Sequence, residues 1–284
     1  MRTAVIIPAY NEEHSIKDVI LDIKKMYPEA EIIVVNDGSS DQTSSRARKT
    51  GVKVIDHTLN IGYGSALKTG ARSTGADILV FFDADTQHDP HDIGRLIAEI
   101  NECDMVVGAR TKESYTQPHR RPGKFLLNFL ANLVLDQKIP DINSGLRAVK
   151  RDVFLTYAHL LPTNFSLTTT ITFAFIKAGR IVKYIPITVN KRTGTSTVNP
   201  LKDGLKTLLL MLRIIILFKP LSVFLPMATV LFCLGAGNGL YELIYRDNQG
   251  IGQVTLLFLI SSLIIFFFGL LADQVSSMRR EKHE

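Results

Sequence analysis

Four short apolar runs, each cut off by turn-forming residues and followed by a helical pattern, constrain this chain more than anything else in it. AVII (4–7) stops at Pro8, IIVV (32–35) at Asn36-Asp37-Gly38, VKVIDH (52–57) at a glycine-rich turn, and ADILVFF (76–82) at Asp83. Between them apolar residues recur at helical spacing, as in Ile16, Val19, Ile20 and Ile23, with Asn11 expected to cap that first helix. Strand and helix alternating four times, with strands that are apolar on both faces, predict a parallel sheet covered by helices on each side. Ligands of such sheets bind beyond the C-terminal strand ends. Pro8–Glu12, Asp37, Asp83 and Asp85 all fall there.

Asp83 and Asp85 stand one residue apart just past a buried strand, with Gln87 and His88 close behind. Two carboxylates so spaced can converge on one divalent cation, and their hard oxygens suit Mg²⁺ or Mn²⁺ shared with substrate phosphates. The plainer alternative is an acidic turn, since Asp is common in turns. Two other nucleotide motifs are absent. Gly62 and Gly64 open a tight turn, but Leu67 stands where G-x-G-x-x-G needs its third glycine, and no G-x-x-x-x-G-K-[ST] occurs.

Charge and apolar content are unevenly placed. The net charge of +6 would suit nucleic acid, anionic lipid or phosphorylated ligands. Cys103 and Cys233 are far apart, so neither zinc nor a disulfide framework is expected. The first residues lack the long apolar stretch of a signal peptide. Residues 1–200 read as a globular domain. Residues 201–219 place Lys202, Lys206 and Arg213 on one helical stripe among leucines and isoleucines, the pattern of a helix lying on anionic lipid. Residues 221–245 carry one charge, Glu242, and 251–272 carry none. Each stretch is long enough to cross the ~30 Å hydrocarbon core at 1.5 Å per residue. Basic residues cluster before the first span, and Arg279, Arg280 and Lys282 follow the second. Both termini and the globular domain are therefore expected on the cytoplasmic side, with residues 220–284 forming a two-span region. Two spans also argue against a nucleic-acid partner.

VIIPAYNEE, VVNDGSSDQT, NIGYGSALKTG and FFDADTQHDP, in this order and spacing, resemble the GT-A domain of family 2 glycosyltransferases, and more narrowly the dolichyl- or polyprenyl-phosphate sugar synthases. The resemblance implies an α/β GT-A fold with a mostly parallel sheet. It implies transfer of a hexose, with inversion, from a nucleotide sugar of the GDP-mannose or UDP-glucose type to a polyprenyl phosphate. Pro8, Ala9, Tyr10, Glu12, Asp37 and Ala84 would then line the nucleotide-sugar pocket. Asp83 and Asp85 would be the family's D-x-D, with Gln87 matching the neighbouring glutamine of a Mg²⁺ or Mn²⁺ site. Asp85 and Arg110 would carry catalysis. Arg110, at the end of a strand over 104–109, leads into a polar loop with Arg120, Arg121 and Lys124 and an apolar helix over 125–135. Basic residues of this region hold the acceptor phosphate in the synthases; Arg110, Arg121 and Lys124 are taken as that set. A solvated surface loop is the alternative.

DINSGLRAVKRDVF (141–154) resembles the family's S-G-[FL]-[RK] segment, where Ser144 or Arg147 either faces donor or acceptor or belongs to a turn packing the sheet edge. A final strand pair precedes Arg192, which would close over the diphosphate. Thr197 departs from the lysine that follows Gly-x-Ser in the synthases, a contact that Lys191 or Lys202 can replace. The partners implied are a nucleotide sugar, a polyprenyl phosphate and the membrane, with room for a homo-oligomer. The alternatives are another membrane GT-A transferase of glycan assembly and a non-catalytic nucleotide-binding adaptor. The chain has no Trp and no Glu-Asp dipeptide, which counts against a processive polysaccharide synthase.

Overall fold

The structure, a computed structural model, describes residues 1–111, 139–163, 166–190, 216, 220–245 and 251–281. The expected basic loop with Arg120, Arg121 and Lys124, the helix over 125–135, the residues Arg192, Gly194, Ser196 and Thr197, and nearly all of the lipid-facing helix over 201–219 lie outside the described residues. The chain divides into two units, Met1–Gly204 and Leu205–Glu284.

In the first unit the order is β1 (Thr3–Ala9), α1 (Ile16–Met26), β2 (Glu31–Asn36), α2 (Thr43–Arg48), β3 (Lys53–Asp56), α3 (Tyr63–Arg72), β4 (Ile78–Phe81), α4 (His91–Glu99), β5 (Met105–Arg110), β6 (Arg147–Lys150), α5 (Arg151–Tyr157), α6 (Leu167–Lys177) and β7 (Val182–Ile187). Among the described residues these strands form one seven-stranded sheet in the order β3-β2-β1-β4-β6-β5-β7. The parallel sheet expected from the repeated pattern is there, with one exception: β6 runs antiparallel to both β4 and β5. In place of the expected final strand pair, the described residues there hold a single strand, β7, parallel to β5.

Alternate residues of the strands feed two cores. Val5 and Ile7 of β1 pack on one side with Ile16, Ile20 and Ile23 of α1 and with Ile93 and Leu96 of α4. Ala4 and Ile6 pack on the other with Ala66, Leu67 and Ala71 of α3. Helix α3 lies so close to β1 that a Cβ on Gly70 would stand 2.3 Å from the Ile6 side chain. This fixes the start of α3, and with it Tyr63, against the strand ends.

Two local expectations need correction. Pro8 does not end β1; it lies within the strand, opposite Val35. The β1–β4 ladder stops at Ile6, whose carbonyl accepts the Phe82 N–H at 3.1 Å. Two residues on, Pro8 faces the same side, where no β4 partner remains, so its missing N–H breaks no ladder bond. Asn11 does not cap α1, which starts at Ile16. Asn11 adopts φ 55°, tolerated by its short polar side chain, and ties β1 to the turn after β2. Its Oδ1 accepts the Ser40 N–H at 2.9 Å and its own N–H donates to Ser39 Oγ at 2.9 Å.

The second unit is a helical hairpin of α7 (Leu221–Tyr245) and α8 (Gln253–Glu281). Both helices are long and apolar enough to cross a membrane, and side chains such as Leu234, Leu243, Leu257 and Phe268 face outward. Core helices of a water-soluble fold would bury those side chains, so the hairpin marks a membrane protein. Glycines let the helices approach: Cβ atoms on Gly235 and Gly239 would meet Leu259 and Thr255 at 3.0 Å. Glu242 is buried, not lipid-facing. Its Oε2 accepts from Gly252 N at 2.7 Å and Thr255 Oγ1 at 2.8 Å, closing the start of α8 onto the end of α7.

Candidate active site

Asp83 lies two residues past β4, in the segment between that strand and α4. Tyr63, first residue of α3, donates its hydroxyl to Asp83 Oδ1 at 2.9 Å. Burial keeps that phenol protonated, pushing it well above its ordinary value, so it acts as a donor. His88 Nε2 is 3.6 Å from Asp83 Oδ2. Burial pushes the Asp83 carboxyl up, but the bonds from His88 and Tyr63 and the charges of His88 and Arg147 override it and hold the group below the usual carboxylate range. Asp83 is therefore set as a fixed anion.

Asp85 is buried, and its Oδ1 accepts the Gln87 N–H at 3.2 Å. Between them Thr86 adopts φ 59°. A β-branched residue there is strained, and such strain collects at functional sites. Gln87 does not point its amide nitrogen at the carboxylates; Nε2 donates to Asn190 O at 3.1 Å, and Asn190 N donates back to Gln87 O at 2.9 Å. The D-x-D loop is thereby tied to the segment just before Arg192.

Asp83 and Asp85 are the candidate metal ligands, with Gln87 placed as a loop tie beside them. No cluster of three or more His, Cys, Asp and Glu able to hold a metal occurs among the described residues. Two carboxylates without a thiolate are unlike a closed zinc site and fit a hard cation that takes its remaining ligands from phosphate and water.

Sequence reasoning passed over what lies behind the carboxylates. A Cβ on Gly145 would stand 2.2 Å from Asp83 Oδ2, so the Ser144–Gly145 backbone is in direct contact with the first aspartate. Arg147 is fully buried in β6, and its guanidinium donates to Ser144 O, to Thr168 O at 3.0 Å and to Thr172 Oγ1 at 3.3 Å. Burial lowers its pKa, opposed by the negative groups around it, Asp83 and Asp141 among them. Of the two readings open for Arg147, the structure places it in the core, bracing the turn under Asp83. Arg110 has its guanidinium edge on the buried Asp141, Nε to Oδ2 at 2.5 Å and Nη2 to Oδ1 at 2.9 Å. Burial pulls its pKa down, but the bond and charge of Asp141, with the Asp83 charge behind them, hold it above its ordinary value. Asp141 has no sequence signature that pairs it with Arg110.

At the β1 and β2 ends the assigned residues are held by backbone and side-chain bonds of the neighbouring turns. Ala9 O accepts the Asp37 N–H at 2.9 Å, and Glu12 N donates to Thr43 Oγ1 at 2.8 Å. Tyr10 is 42% exposed, whereas Ala84 is buried. Asp37 is buried beneath three donors of its own chain: His57 Nδ1 at 2.7 Å, Ile61 N at 3.1 Å and Gly62 N at 2.8 Å. It pins the glycine-rich turn that leads to Tyr63. Asp37→Ala strands two amides and His57, and should lower stability by about 3 kcal/mol. Heat denaturation of the full chain in detergent checks this; an unchanged midpoint would mean that the turn is held elsewhere.

The chain matches the profile of Glycosyl transferase family 2 over residues 4–157 and that of the GtrB C-terminal hairpin over residues 219–278. An uncharacterized protein of Methanocaldococcus jannaschii is 38% identical over 153 residues, covering 51% of this chain and 63% of that protein, so the chain spans under two thirds of that relative. A dolichyl-phosphate hexose transferase of Haloferax volcanii is 29% identical over 204 residues, covering 71% of this chain and 88% of that protein. Among solved structures, glucosyl-3-phosphoglycerate synthase from Mycobacterium tuberculosis, in complex with Mn²⁺ and uridine-diphosphate-glucose, superposes with a TM-score of 0.61 at 20% identity, covering 75% of this chain and 78% of that one. That likeness shows the GT-A type of fold. A family profile running over more than half of the chain, on a sheet whose strand ends gather paired aspartates, makes this protein a glycosyltransferase belonging to family 2, with a membrane hairpin of the GtrB type.

Proposed function

We propose that the protein is a metal-dependent, inverting glycosyltransferase that moves a hexose from a nucleotide sugar, of the GDP-mannose or UDP-glucose type, to the phosphate of a polyprenol at the cytoplasmic face of the membrane. The observation that carries this reading is the convergence at the C-terminal ends of interior strands of a fixed anion (Asp83), a second carboxylate (Asp85) and a cation held in place from behind (Arg110 on Asp141). The membrane hairpin and relatives such as the dolichyl-phosphate hexose transferase support a lipid acceptor.

Pro8, Ala9, Tyr10, Glu12, Asp37 and Ala84 form the nucleotide side, where Asp37 acts by holding the turn over 61–62. Asp83 and Asp85 would hold Mg²⁺ or Mn²⁺, which when bound supplies neutralisation of the departing diphosphate. The protein keeps its own part of that geometry rigid. Tyr63 fixes one oxygen of Asp83, Gly145 closes on the other, and the Gln87–Asn190 pair sets the loop. Arg110, oriented by Asp141, is assigned with Arg121 and Lys124 to the acceptor phosphate, and Arg192 to the donor diphosphate. A phosphomonoester has its second pKa near ~6, so the attacking oxygen is already anionic at neutral pH. Catalysis then rests on alignment and charge, and no general base is assigned. Residues 1–200 would be the catalytic domain and 201–219 the lipid-facing helix, with both termini cytoplasmic.

The test is to incubate membranes carrying the full chain with a panel of labelled nucleotide sugars and polyprenyl phosphate. Label should enter the lipid phase as a sugar attached through a single phosphate, from one donor of the panel. Label found only as free sugar or in polymer, with every donor, would refute a polyprenyl-phosphate acceptor.

A further inference from the structure

One concave feature of the first unit runs along α3, and neither of the paired aspartates is among its described lining residues. It is a cavity of about 370 Å³ between α3 and the turn after α5, with Ser65, Lys68, Thr69, Arg72, His159 and Thr163 in its wall. No carboxylate lines it among the described residues. Arg72 is exposed and makes no salt bridge among the described residues. Lys68 stands beside it, with its ammonium donating to Leu161 O. Burial, and then the Arg72 charge, hold the Lys68 ammonium below its ordinary value, as expected when cations are crowded together without an anion.

Surface cations usually meet a nearby carboxylate. Here, among the described residues, none lines a wall that holds both a lysine and an arginine. An Arg fork beside a Lys point charge suits the oxygens of a phosphate group. We propose that this cavity binds a small soluble anion bearing one or two phosphate groups, at a site separate from the strand-end carboxylates.

Its placement joins it to the turn that Asp37 holds. Thr69, in the cavity wall, stands with Oγ1 2.9 Å from His57 Nε2, and the other ring nitrogen of His57 is 2.7 Å from Asp37 Oδ1. Ile61, whose N–H Asp37 accepts, also lines the cavity. An anion bound there would sit two side chains from the glycine-rich turn, without touching Asp83 or Asp85.

Inorganic pyrophosphate is the probe. The full chain in detergent, in low salt with excess EDTA, is titrated calorimetrically as wild type, Arg72→Ala, Lys68→Ala/Arg72→Ala and Asp85→Asn. EDTA removes metal-assisted binding at the aspartates. Saturable binding is expected, about tenfold or more weaker in Arg72→Ala, lost in the double variant and retained in Asp85→Asn. Arg72 is exposed and makes no salt bridge among the described residues, so its loss spares the fold, which circular dichroism verifies; Arg72→Glu, a charge reversal, should abolish binding outright. Absence of saturable binding in the wild type would overturn the proposal. So would wild-type affinity in both Arg72→Ala and the double variant, or loss of binding in Asp85→Asn alone, which would put the anion at the strand ends.

Discussion

Replacing Gly145 with alanine should cut kcat/KM for transfer by about a hundredfold while the protein still folds. The added methyl would lie 2.2 Å from Asp83 Oδ2, 2.9 Å from its Cγ and 3.1 Å from Oδ1. Gly145 is not among the glycines with a positive φ, so alanine can adopt its backbone and space alone decides the outcome. The turn cannot readily retreat, because Arg147 grips Ser144 O from the core. Nor can Asp83 rotate away without giving up the Tyr63 hydroxyl. The carboxylate must move by something near an ångström, and misplacement on that scale costs on the order of 10²-fold in a positioned site. The variant should also need more Mg²⁺ or Mn²⁺ for half-maximal rate. Steady-state kinetics over a metal titration, with thermal denaturation alongside, tests this; wild-type kcat/KM would show that Asp83 is not held where catalysis needs it.

Asp85→Ala should have the larger effect, a loss of about 10³-fold or more in kcat, with near-normal thermal stability. Within the described loop the carboxylate accepts the Gln87 N–H at 3.2 Å, a long bond that the methyl removes at small cost. The loop stays tied through Gln87 and Asn190. What would be lost is one of the two hard oxygen donors proposed for a cation facing a diphosphate. Excess EDTA should reduce the wild type to a similar level, and added Mn²⁺ should restore the wild type but not the variant. Turnover of Asp85→Ala at the wild-type rate, or a wild type indifferent to EDTA, would remove the metal from the mechanism.

Local sequence pattern carried the scaffold. Runs such as IIVV and ILVF, four apolar residues long and bounded by turn formers, read as buried strands, and helical spacing between them points to parallel crossovers. The strand ends follow, and with them the positions of Pro8–Glu12, Asp37, Asp83 and Asp85. The hairpin is equally local, because length and lack of charge are properties of a segment. Pro8 and Asn11 were misread because their usual roles depend on neighbours that the chain itself does not list: Pro8 is tolerated in β1 only because β4 has ended beside it, and Asn11 serves the turn after β2.

What the tertiary structure decided is which groups stand behind those strand ends. Tyr63 and Asp83 are 20 residues apart, Arg110 and Asp141 31 apart, and Gly145 meets Asp83 just beyond the β4–β6 pairing, which depends on β6, a strand whose antiparallel direction nothing in its four residues announces. Strand direction and pairing depend on the route of the whole chain, not on a segment's own periodicity. Arg147 shows the same limit most sharply. As a sequence it is a cation next to a glycine turn; as a structure it is a fully buried core residue, because Ser144, Thr168 and Thr172 surround its guanidinium with oxygen acceptors. A buried charge is tolerated only where acceptors from several segments meet around it, and that meeting exists only once the sheet has formed.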